Sequence, residues 1–309
     1  MSEAAPGAAS LEPPRGRSVL GDLADLFPRS GFLVTVPATL LVFFGLVLPV
    51  GYLLLLSFNP ARAGVTDLTS DITFANYLRL VGDAYYWRIL GRTLWIAAVV
   101  TVLSTTLGFL LAVSLWQSNP RWKGLLTVIV LAPLLVSIVA RTFGWIIILG
   151  SKGIINKLLL SLGLPALQVM YTDVAVIIGL VHVLLPYAVL TILASLDRLD
   201  ATLPEAAKTL GANGAVVLRD IIFPLALPGI VASGTIVFSL AMSSYVTPAM
   251  MGAANSSVIT TVIYQQFVVN FNWHFGAVLV AILLAASLLT ILFTLSALAR
   301  FGRRFGEAL

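Results

Sequence analysis

The sequence has no cysteine and very little charge. Of its 309 residues, only 10% are Asp, Glu, Lys or Arg, while 59% are hydrophobic. Without cysteine the chain can form neither a disulfide framework nor a thiolate metal site. Charged residues make up about a quarter of an ordinary soluble domain, so the composition excludes that class. We therefore interpret the chain as an integral membrane protein.

Signatures of nucleotide and metal chemistry are also missing from the sequence. It holds no glycine-rich phosphate loop of the Walker type and no carboxylate cluster suited to Mg²⁺. Its two histidines and thirteen acidic residues form no recognisable catalytic or metal-binding set. We expect a chain that is not an enzyme, has no cofactor or metal of its own and does not bind ATP. The formal charge of +5 comes from basic residues beside apolar runs, which fits anionic lipid and membrane topology better than nucleic acid.

Runs of about 20 apolar residues predict membrane-spanning helices, and six such runs are present. They lie near residues 32–57, 93–115, 125–149, 174–196, 228–251 and 276–299. A transmembrane β-barrel would need alternating segments of about ten residues, whereas these runs are longer and uniformly apolar. The first run resembles a signal peptide, but its apolar stretch of about 25 residues is too long for a signal core. The sequence thus predicts an all-α protein with six transmembrane helices in one membrane domain, residues 31–300.

Basic residues between the spans predict the orientation. If the amino terminus is cytoplasmic, the inside segments hold eleven Lys and Arg residues and the outside segments hold six. The positive-inside rule therefore places both termini and the loop at 197–227 in the cytoplasm. The first tail, 1–30, either contains an interfacial amphipathic helix beginning at Ser18 or is a loop along the membrane. The last tail is 301–309.

A polar, helix-forming segment interrupts the apolar chain at 205–224. Thr202 and Glu205 have the spacing of a capping box, which predicts the start of a helix. Gly211 can adopt the left-handed conformation that ends a helix, and a second helix should stop before Pro224. This helix–turn–helix would offer the Glu205 carboxylate to the cleft of a partner protein. The alternative is that Glu205 only caps its own helix and Gly211 only ends it.

The residues of this segment form a specific pattern. It reads Glu205-Ala206-Ala207, three residues, Gly211, nine residues, and then Ile221-x-Phe223-Pro224. This pattern resembles the cytoplasmic Glu-Ala-Ala loop, or EAA motif, of binding-protein-dependent ABC importer permeases. Phe223 stands where that family usually has Leu, from which we expect altered packing and an unchanged role.

The resemblance implies a type I ABC importer permease fold, with Glu205, Ala206, Ala207 and Gly211 docked on an ATPase subunit. It also implies the partners of the chain. They are a second permease subunit, two ATPase subunits that carry ATP and Mg²⁺, and an extracytoplasmic solute-binding protein.

Four further stretches resemble spermidine/putrescine-type permeases, and the first permease of such transporters more than the second. They are Arg141 to Trp145 with Gly153 and Asn156, Ser244 to Gly252, Tyr264 to Gln266, and Phe271 to Gly276. The resemblance implies a bacterial inner-membrane permease with a polyamine as cargo. Other cargoes of this importer class remain open: an amino acid derivative, an opine, thiamine or ferric iron. An ion-coupled secondary transporter is the alternative from another class, but the spans hold no acid for coupling and show no clear inverted repeat.

Arg141 is the one Lys, Arg, Asp or Glu well inside a predicted span, where a charge usually faces a cavity or a partner. It could line or gate the cargo path, support helix-end carbonyls, or reach toward the membrane surface. It would repel a polyamine, so gating or helix positioning is the better form of a transport role. Because no carboxylate lies deep in a span, either the cavity binds little and selectivity is set upstream, or aromatic faces hold the cation. The aromatic candidates are Phe143, Trp145, Tyr187 and Tyr245. Each is equally suited to packing or to anchoring at the interface.

Overall fold

The computed structural model describes residues 31–60, 71–200, 202–252 and 257–306, and these residues form helices joined by short connections. The helices are α1 (Gly31–Val42), α2 (Leu48–Ser57), α3 (Ala75–Gly82), α4 (Ala84–Trp116), α5 (Pro120–Leu135), α6 (Ile138–Leu149), α7 (Ile154–Ser161), α8 (Asp173–Leu196), α9 (Thr202–Thr209), α10 (Gly214–Val217), α11 (Phe223–Ser243), α12 (Val246–Met251), α13 (Ile259–Tyr264) and α14 (Trp273–Gly306). Three π-helical turns join or extend them: Phe43–Val47, Leu218–Ile222 and Gln265–Val269. The amino-terminal tail, with its predicted interfacial helix, lies outside the described residues.

Within the described residues, six helical stretches are long and apolar enough to cross a membrane. They are Val36–Ser57, Ala84–Trp116, Ile138–Ser161, Asp173–Leu196, Gly214–Ser243 and Trp273–Thr294. The all-α class and the number of spans are thereby confirmed, although the third stretch begins at Ile138 and not near residue 125. The cytoplasmic placement of the termini stays a prediction.

Two of the predicted spans are interrupted, and there the prediction of a continuous helix is wrong. The span predicted at 125–149 divides into α5 and α6, because Val136 and Ser137 are extended, with ψ of 137° and 136°. The span predicted at 228–251 ends as a helix at Ser243, and Ser244, with ψ of 130°, separates it from α12. Pro133 lies in the last turn of α5 and weakens it, since proline donates no backbone hydrogen bond.

The helix expected to stop before Pro224 instead continues through it. A π-helical turn precedes this proline, and the Phe223 N–H donates to the carbonyl of Leu218. The wider turn replaces the hydrogen bonding that proline disrupts, so the helix runs from Gly214 to Ser243 without a stop. The same arrangement precedes Pro49, where the Leu48 N–H donates to the carbonyl of Phe43.

The chain divides into two compact units, residues 1–53 and 54–309. In the first unit, the described residues form one apolar helix, with exposed side chains such as Leu41 and Phe44. In the second unit, the core is formed by α4, α8 and α11, which bury Val100, Ala188 and Val237 against one another.

Small residues bring these three core helices close together. A Cβ atom added at Gly108 of α4 would lie 2.8 Å from the Cβ of Ala188 on α8. A Cβ atom added at Gly229 of α11 would overlap Ser195 on α8. Such contacts are typical of membrane helices, whose association depends on close packing because lipid is as apolar as their side chains.

Candidate functional site

The first half of the candidate site is the polar loop, defined here as residues 197–213 between α8 and α10. Its helix, α9, begins at Thr202, but Thr202 is not the capping acceptor that the sequence predicted. The Thr202 N–H and Oγ1–H both donate to Asp200 Oδ1, at 2.9 and 2.8 Å. These two bonds favour the carboxylate and lower the pKa of Asp200. The Thr202 hydroxyl therefore donates to Asp200, whereas the predicted capping box would have it accept from the backbone N–H of Glu205.

Glu205 lies in the first turn of α9 with an exposed side chain. Among the described residues, its carboxylate makes no hydrogen bond or ion pair. Ala206 beside it is exposed as well, whereas Ala207 is partly buried against the bundle. The loop thus presents a negative charge next to a small side chain, at the amino-terminal end of a short helix.

Gly211 ends α9 with φ of +91°, the left-handed conformation that its position predicted. The Gly211 N–H donates to the Lys208 carbonyl at 2.9 Å and the Ala212 N–H to the Ala207 carbonyl at 3.0 Å, which is a Schellman motif. Asn213 then caps α10, its Oδ1 accepting from the Val216 N–H at 2.9 Å. Both helix ends of the turn are therefore closed by bonds within the loop.

One side of the polar loop is fixed to the bundle, and the other side is open. Ala207, Ala212 and Val217 pack in a cluster with Ile192 and Leu196 of α8. On the open side, the Leu210 side chain is 89% exposed. Sequence reasoning did not select Leu210, although an apolar residue between Glu205 and Gly211 on a polar helix was a usable signal. Glu205, Ala206 and Leu210 together form what we call the docking face.

The second half of the candidate site lies in the span region. Arg141 is on α6, and its Nε and Nη1 atoms are buried without a hydrogen-bond partner among the described residues. One turn further, the Trp145 ring contacts His182 of α8 edge to face, with centroids 5.6 Å apart. Trp145 and His182 line an apolar cavity of about 290 Å³ together with Leu103 of α4. Phe143 and Tyr187 are exposed and do not line this cavity.

Tyr245 lies apart from that cavity and meets a residue that sequence reasoning did not single out. Its ring stacks on Tyr264 of α13, with centroids 4.8 Å apart and an interplanar angle of 27°. An open groove of about 380 Å³ lies beside the two rings. Its lining residues are Tyr245, Pro248, Ala249, Ser257, Thr261, Tyr264, Gln265 and Val269. Tyr264 and Gln265 belong to another of the stretches quoted above, so the fold joins two of those stretches in one groove.

The α6 and α12 regions are neighbours. Thr142 of α6 and Thr247 of α12 are buried with their hydroxyl oxygens 3.5 Å apart. Asn156 has a structural role: its Nδ2 donates to the carbonyls of Gly150 and Leu167, each at 3.0 Å, and its Oδ1 accepts from the Leu167 N–H. Across the residues that the structure describes, no group of three or more His, Cys, Asp or Glu is placed to hold a metal ion.

Comparison with known proteins identifies related permeases. Residues 104–305 match the family described as "binding-protein-dependent transport system inner membrane component". The chain is 32% identical over 239 residues to the spermidine/putrescine transport system permease protein PotB of Haemophilus influenzae, a match that covers 77% of this chain and 82% of that protein. It is 35% identical over 240 residues to PotB of Escherichia coli, covering 74% of this chain and 87% of that one. PotC of Escherichia coli is 26% identical, and the match covers 85% and 91% of the two chains.

Solved structures share the fold. A chain of a bacterial ABC transporter involved in the import of alginate matches with a TM-score of 0.72 at 18% identity, covering 90% of this chain and 99% of that one. A chain of the methionine ABC transporter MetNI, in an inward-facing conformation, matches with a TM-score of 0.55 at 18% identity, covering 69% and 94%.

Proposed function

The chain belongs to the family of binding-protein-dependent transport system inner membrane components, and from that premise we propose how its two regions work. It is a multi-pass inner-membrane permease subunit of an ATP-driven importer, and its cargo is a polyamine such as putrescine or spermidine. The PotB relatives, 32% to 36% identical to this chain, support that cargo.

The observation that carries the mechanism is the docking face of the polar loop. Glu205 is exposed and unpaired among the described residues, while Asp200 and Gly211 close the two ends of its helix. A carboxylate that the fold does not use is available for a charge-assisted hydrogen bond to a cationic or amide donor in another protein. We assign that partner as the ATPase subunit, with Ala206, Ala207 and Gly211 permitting close approach.

Because this chain has no phosphate-binding loop, ATP and Mg²⁺ belong to the two ATPase subunits. ATP binding brings those subunits together and moves the docked loops with them. The movement shifts the bundle between inward- and outward-facing states while a solute-binding protein releases the cargo. A second permease subunit completes the path, and the polar loop lies in the cytoplasm.

The groove beside Tyr245 and Tyr264 is the proposed contact for the cargo. Two stacked aromatic rings offer π faces to an ammonium group, and the Gln265 side chain offers a carbonyl acceptor. Trp145, Phe143 and Tyr187 are assigned to other parts of the path. Arg141 holds α6 in position or gates the path, since its charge repels the cargo.

Stimulation of ATP hydrolysis by loaded binding protein tests the assignment. The permease pair and the ATPase subunits are reconstituted in lipid and supplied with the binding protein plus putrescine, spermidine or unrelated solutes. We expect polyamines alone to raise the hydrolysis rate. If another solute stimulates hydrolysis and polyamines do not, the polyamine assignment is wrong and the chain belongs to an importer with that other cargo. Gradient-driven uptake by this chain alone, without ATP, would contradict the importer mechanism itself.

A further inference from the structure

The interruption of the third predicted span lies within a long apolar stretch. Residues 120–149 run through α5, the extended pair Val136 and Ser137, and α6. The residues at and beside this pair are exposed among those that the structure describes. The Leu135 side chain is 88% exposed and that of Val136 is 48% exposed, and Ser137 is exposed as well.

Several backbone groups at this interruption have no partner among the residues that the structure describes. The Val136 N–H donates to the Pro133 carbonyl at 3.3 Å, and the Arg141 N–H donates to the Ser137 carbonyl at 3.0 Å. Among the described residues, no hydrogen bond reaches the carbonyls of Leu134, Leu135 and Val136. The Ser137 side chain makes no capping bond either. The carboxyl end of α5 and the residue that follows it therefore hold three carbonyl acceptors without a partner in the described part of the chain.

Free backbone groups of this kind are not compatible with lipid contact. Irregular backbone at membrane depth is found only where protein buries it or where it lines a water-filled cavity. The described residues do not bury the interruption, so at membrane depth water, another subunit or a part of the chain outside those residues must cover it. The free groups in question are carbonyl oxygens at a helix carboxyl end, which carries partial negative charge. Carbonyls of interrupted membrane helices are suited to coordinating cations.

Arg141 carries the nearest fixed positive charge, which weakens cation binding at these carbonyls and so favours passage over tight binding. Arg141 follows Ser137 by one helical turn, but its Nε and Nη1 atoms are buried inside the chain. The carbonyl-bearing residues Leu135 and Val136 are instead at the surface. Two of the three guanidinium nitrogens are thus buried, whereas two of the carbonyl-bearing residues are exposed. Thr142, one residue further along α6, contacts α12, which begins directly after Tyr245.

We propose that the interruption between α5 and α6 faces the aqueous cargo path, and that the carbonyls of Leu134, Leu135 and Val136 accept hydrogen bonds from the ammonium groups of the passing polyamine. The cargo contact rests on the proposed function, whereas the aqueous placement rests on membrane physics alone. The three carbonyls form a second binding site after the groove beside Tyr245 and Tyr264. There they replace part of the hydration shell of the ammonium group.

The absence of cysteine makes a direct test possible, because a single introduced thiol is the only one in this chain. The variants are Ser137→Cys at the interruption and Val128→Cys on α5, whose wild-type side chain is 61% exposed but lies in an unbroken helix. Each is assembled with its partner subunits in proteoliposomes and treated with a membrane-impermeant maleimide, with and without ATP and loaded binding protein. Thiolate forms in water and not in hydrocarbon, so Ser137→Cys should react at least about 10-fold faster than Val128→Cys in one nucleotide state. Putrescine or spermidine delivered by the binding protein should slow that reaction.

Equally slow modification of both thiols in every nucleotide state would overturn the aqueous placement. In that case, cross-linking of the Ser137→Cys thiol to the second permease would identify that permease as the subunit that covers the interruption. Fast modification that polyamines do not slow would overturn the cargo contact. Polyamines could fail to stimulate ATP hydrolysis while Ser137→Cys still reacts faster than Val128→Cys. That result would contradict the polyamine assignment and support the aqueous placement of the interruption.

Discussion

The polar loop and the interruption between α5 and α6 treat their helix ends in opposite ways. In the loop, Asp200, Gly211 and Asn213 close the helix ends with hydrogen bonds to groups nearby in the chain. At the interruption, Ser137 provides no capping bond, and the carbonyls of Leu134, Leu135 and Val136 have no partner among the described residues. Because the helix ends of the loop are hydrogen-bonded, the loop offers side chains to a partner. The helix end at the interruption is not hydrogen-bonded in this way, so it offers backbone carbonyls.

This difference separates two kinds of recognition. A closed loop in water can be rigid before it meets its partner, so its specificity lies in a few side chains such as Glu205. An open helix end inside a membrane binds through backbone groups that every residue type carries. Substitutions should therefore have large, residue-specific effects on the loop and smaller, environment-dependent effects in the interior.

The largest effect is expected for Glu205→Ala, which removes the unpaired carboxylate of the docking face. Losing one partner of a buried charged pair costs about 2–5 kcal/mol, so ATP-driven uptake should fall by at least about 30-fold. Uptake into proteoliposomes and co-purification of the ATPase subunit are the measurements. Asp220→Ala is the matched control, because Asp220 is another exposed carboxylate nearby whose neighbour is Arg219 at 3.8 Å. Normal coupling of ATP hydrolysis to uptake in Glu205→Ala would show that Glu205 acts only within its own helix.

A smaller effect is expected in the interior for Tyr264→Ala. Loss of one face of the stacked pair should raise the KM for polyamine uptake by about 5- to 10-fold, in line with a cation–π attraction of about 1 kcal/mol or slightly more. Tyr264→Phe keeps the ring and should stay near the wild-type value. If Phe and Ala variants are equally impaired, the hydroxyl rather than the π face holds the cargo.

Gly211→Ala tests whether the closed geometry of the loop matters apart from its charge. A Cβ atom at this position meets nothing within 4 Å, so the penalty comes from the φ of +91° and amounts to about 1–2 kcal/mol. We expect uptake to fall several-fold while the protein inserts normally. Gly211→Asn should be milder, because asparagine tolerates the left-handed region better. An Ala variant with unchanged uptake would show that docking does not require this turn.

The smallest effect concerns Asp200, which is fully exposed and caps α9. Its pKa is lowered in the folded loop, so its contribution is present above the ordinary carboxyl pKa and is lost as the pH falls through the lowered value. The protection of the Thr202 amide against hydrogen exchange, relative to the intrinsic rate at each pH, should therefore decrease in acid. Asp200→Asn should weaken this pH dependence. An unchanged acid response in the Asn variant would assign it to another group.

Much of this architecture was readable from the sequence, and the missed parts share a cause. Hydropathy averaged over about 20 residues locates spans, because a helix of that length must be mostly apolar to cross the hydrocarbon core of the membrane. The same averaging conceals a two-residue interruption at Val136 and Ser137, since both halves are apolar. In the loop, Gly211 was predictable because left-handed backbone strongly favours glycine. Asp200 was missed because Thr202 offered an equally good cap. The helix through Pro224 was missed because a π-helical turn leaves no mark in residue periodicity.

The close contact between Gly229 and Ser195 has a mechanical consequence. Gly229 lies at the middle of the helix that runs from Gly214 to Ser243, about 45 Å long at 1.5 Å per residue. Because α11 also packs against α4 and α8 through Val237, this helix is held along its length and its two ends should move together. One end adjoins the polar loop, and the other leads to Ser244, whose carbonyl accepts from Thr260 Oγ1 on the helix of Tyr264. We therefore expect a displacement of the polar loop to reach the groove beside Tyr245 and Tyr264 through this one helix.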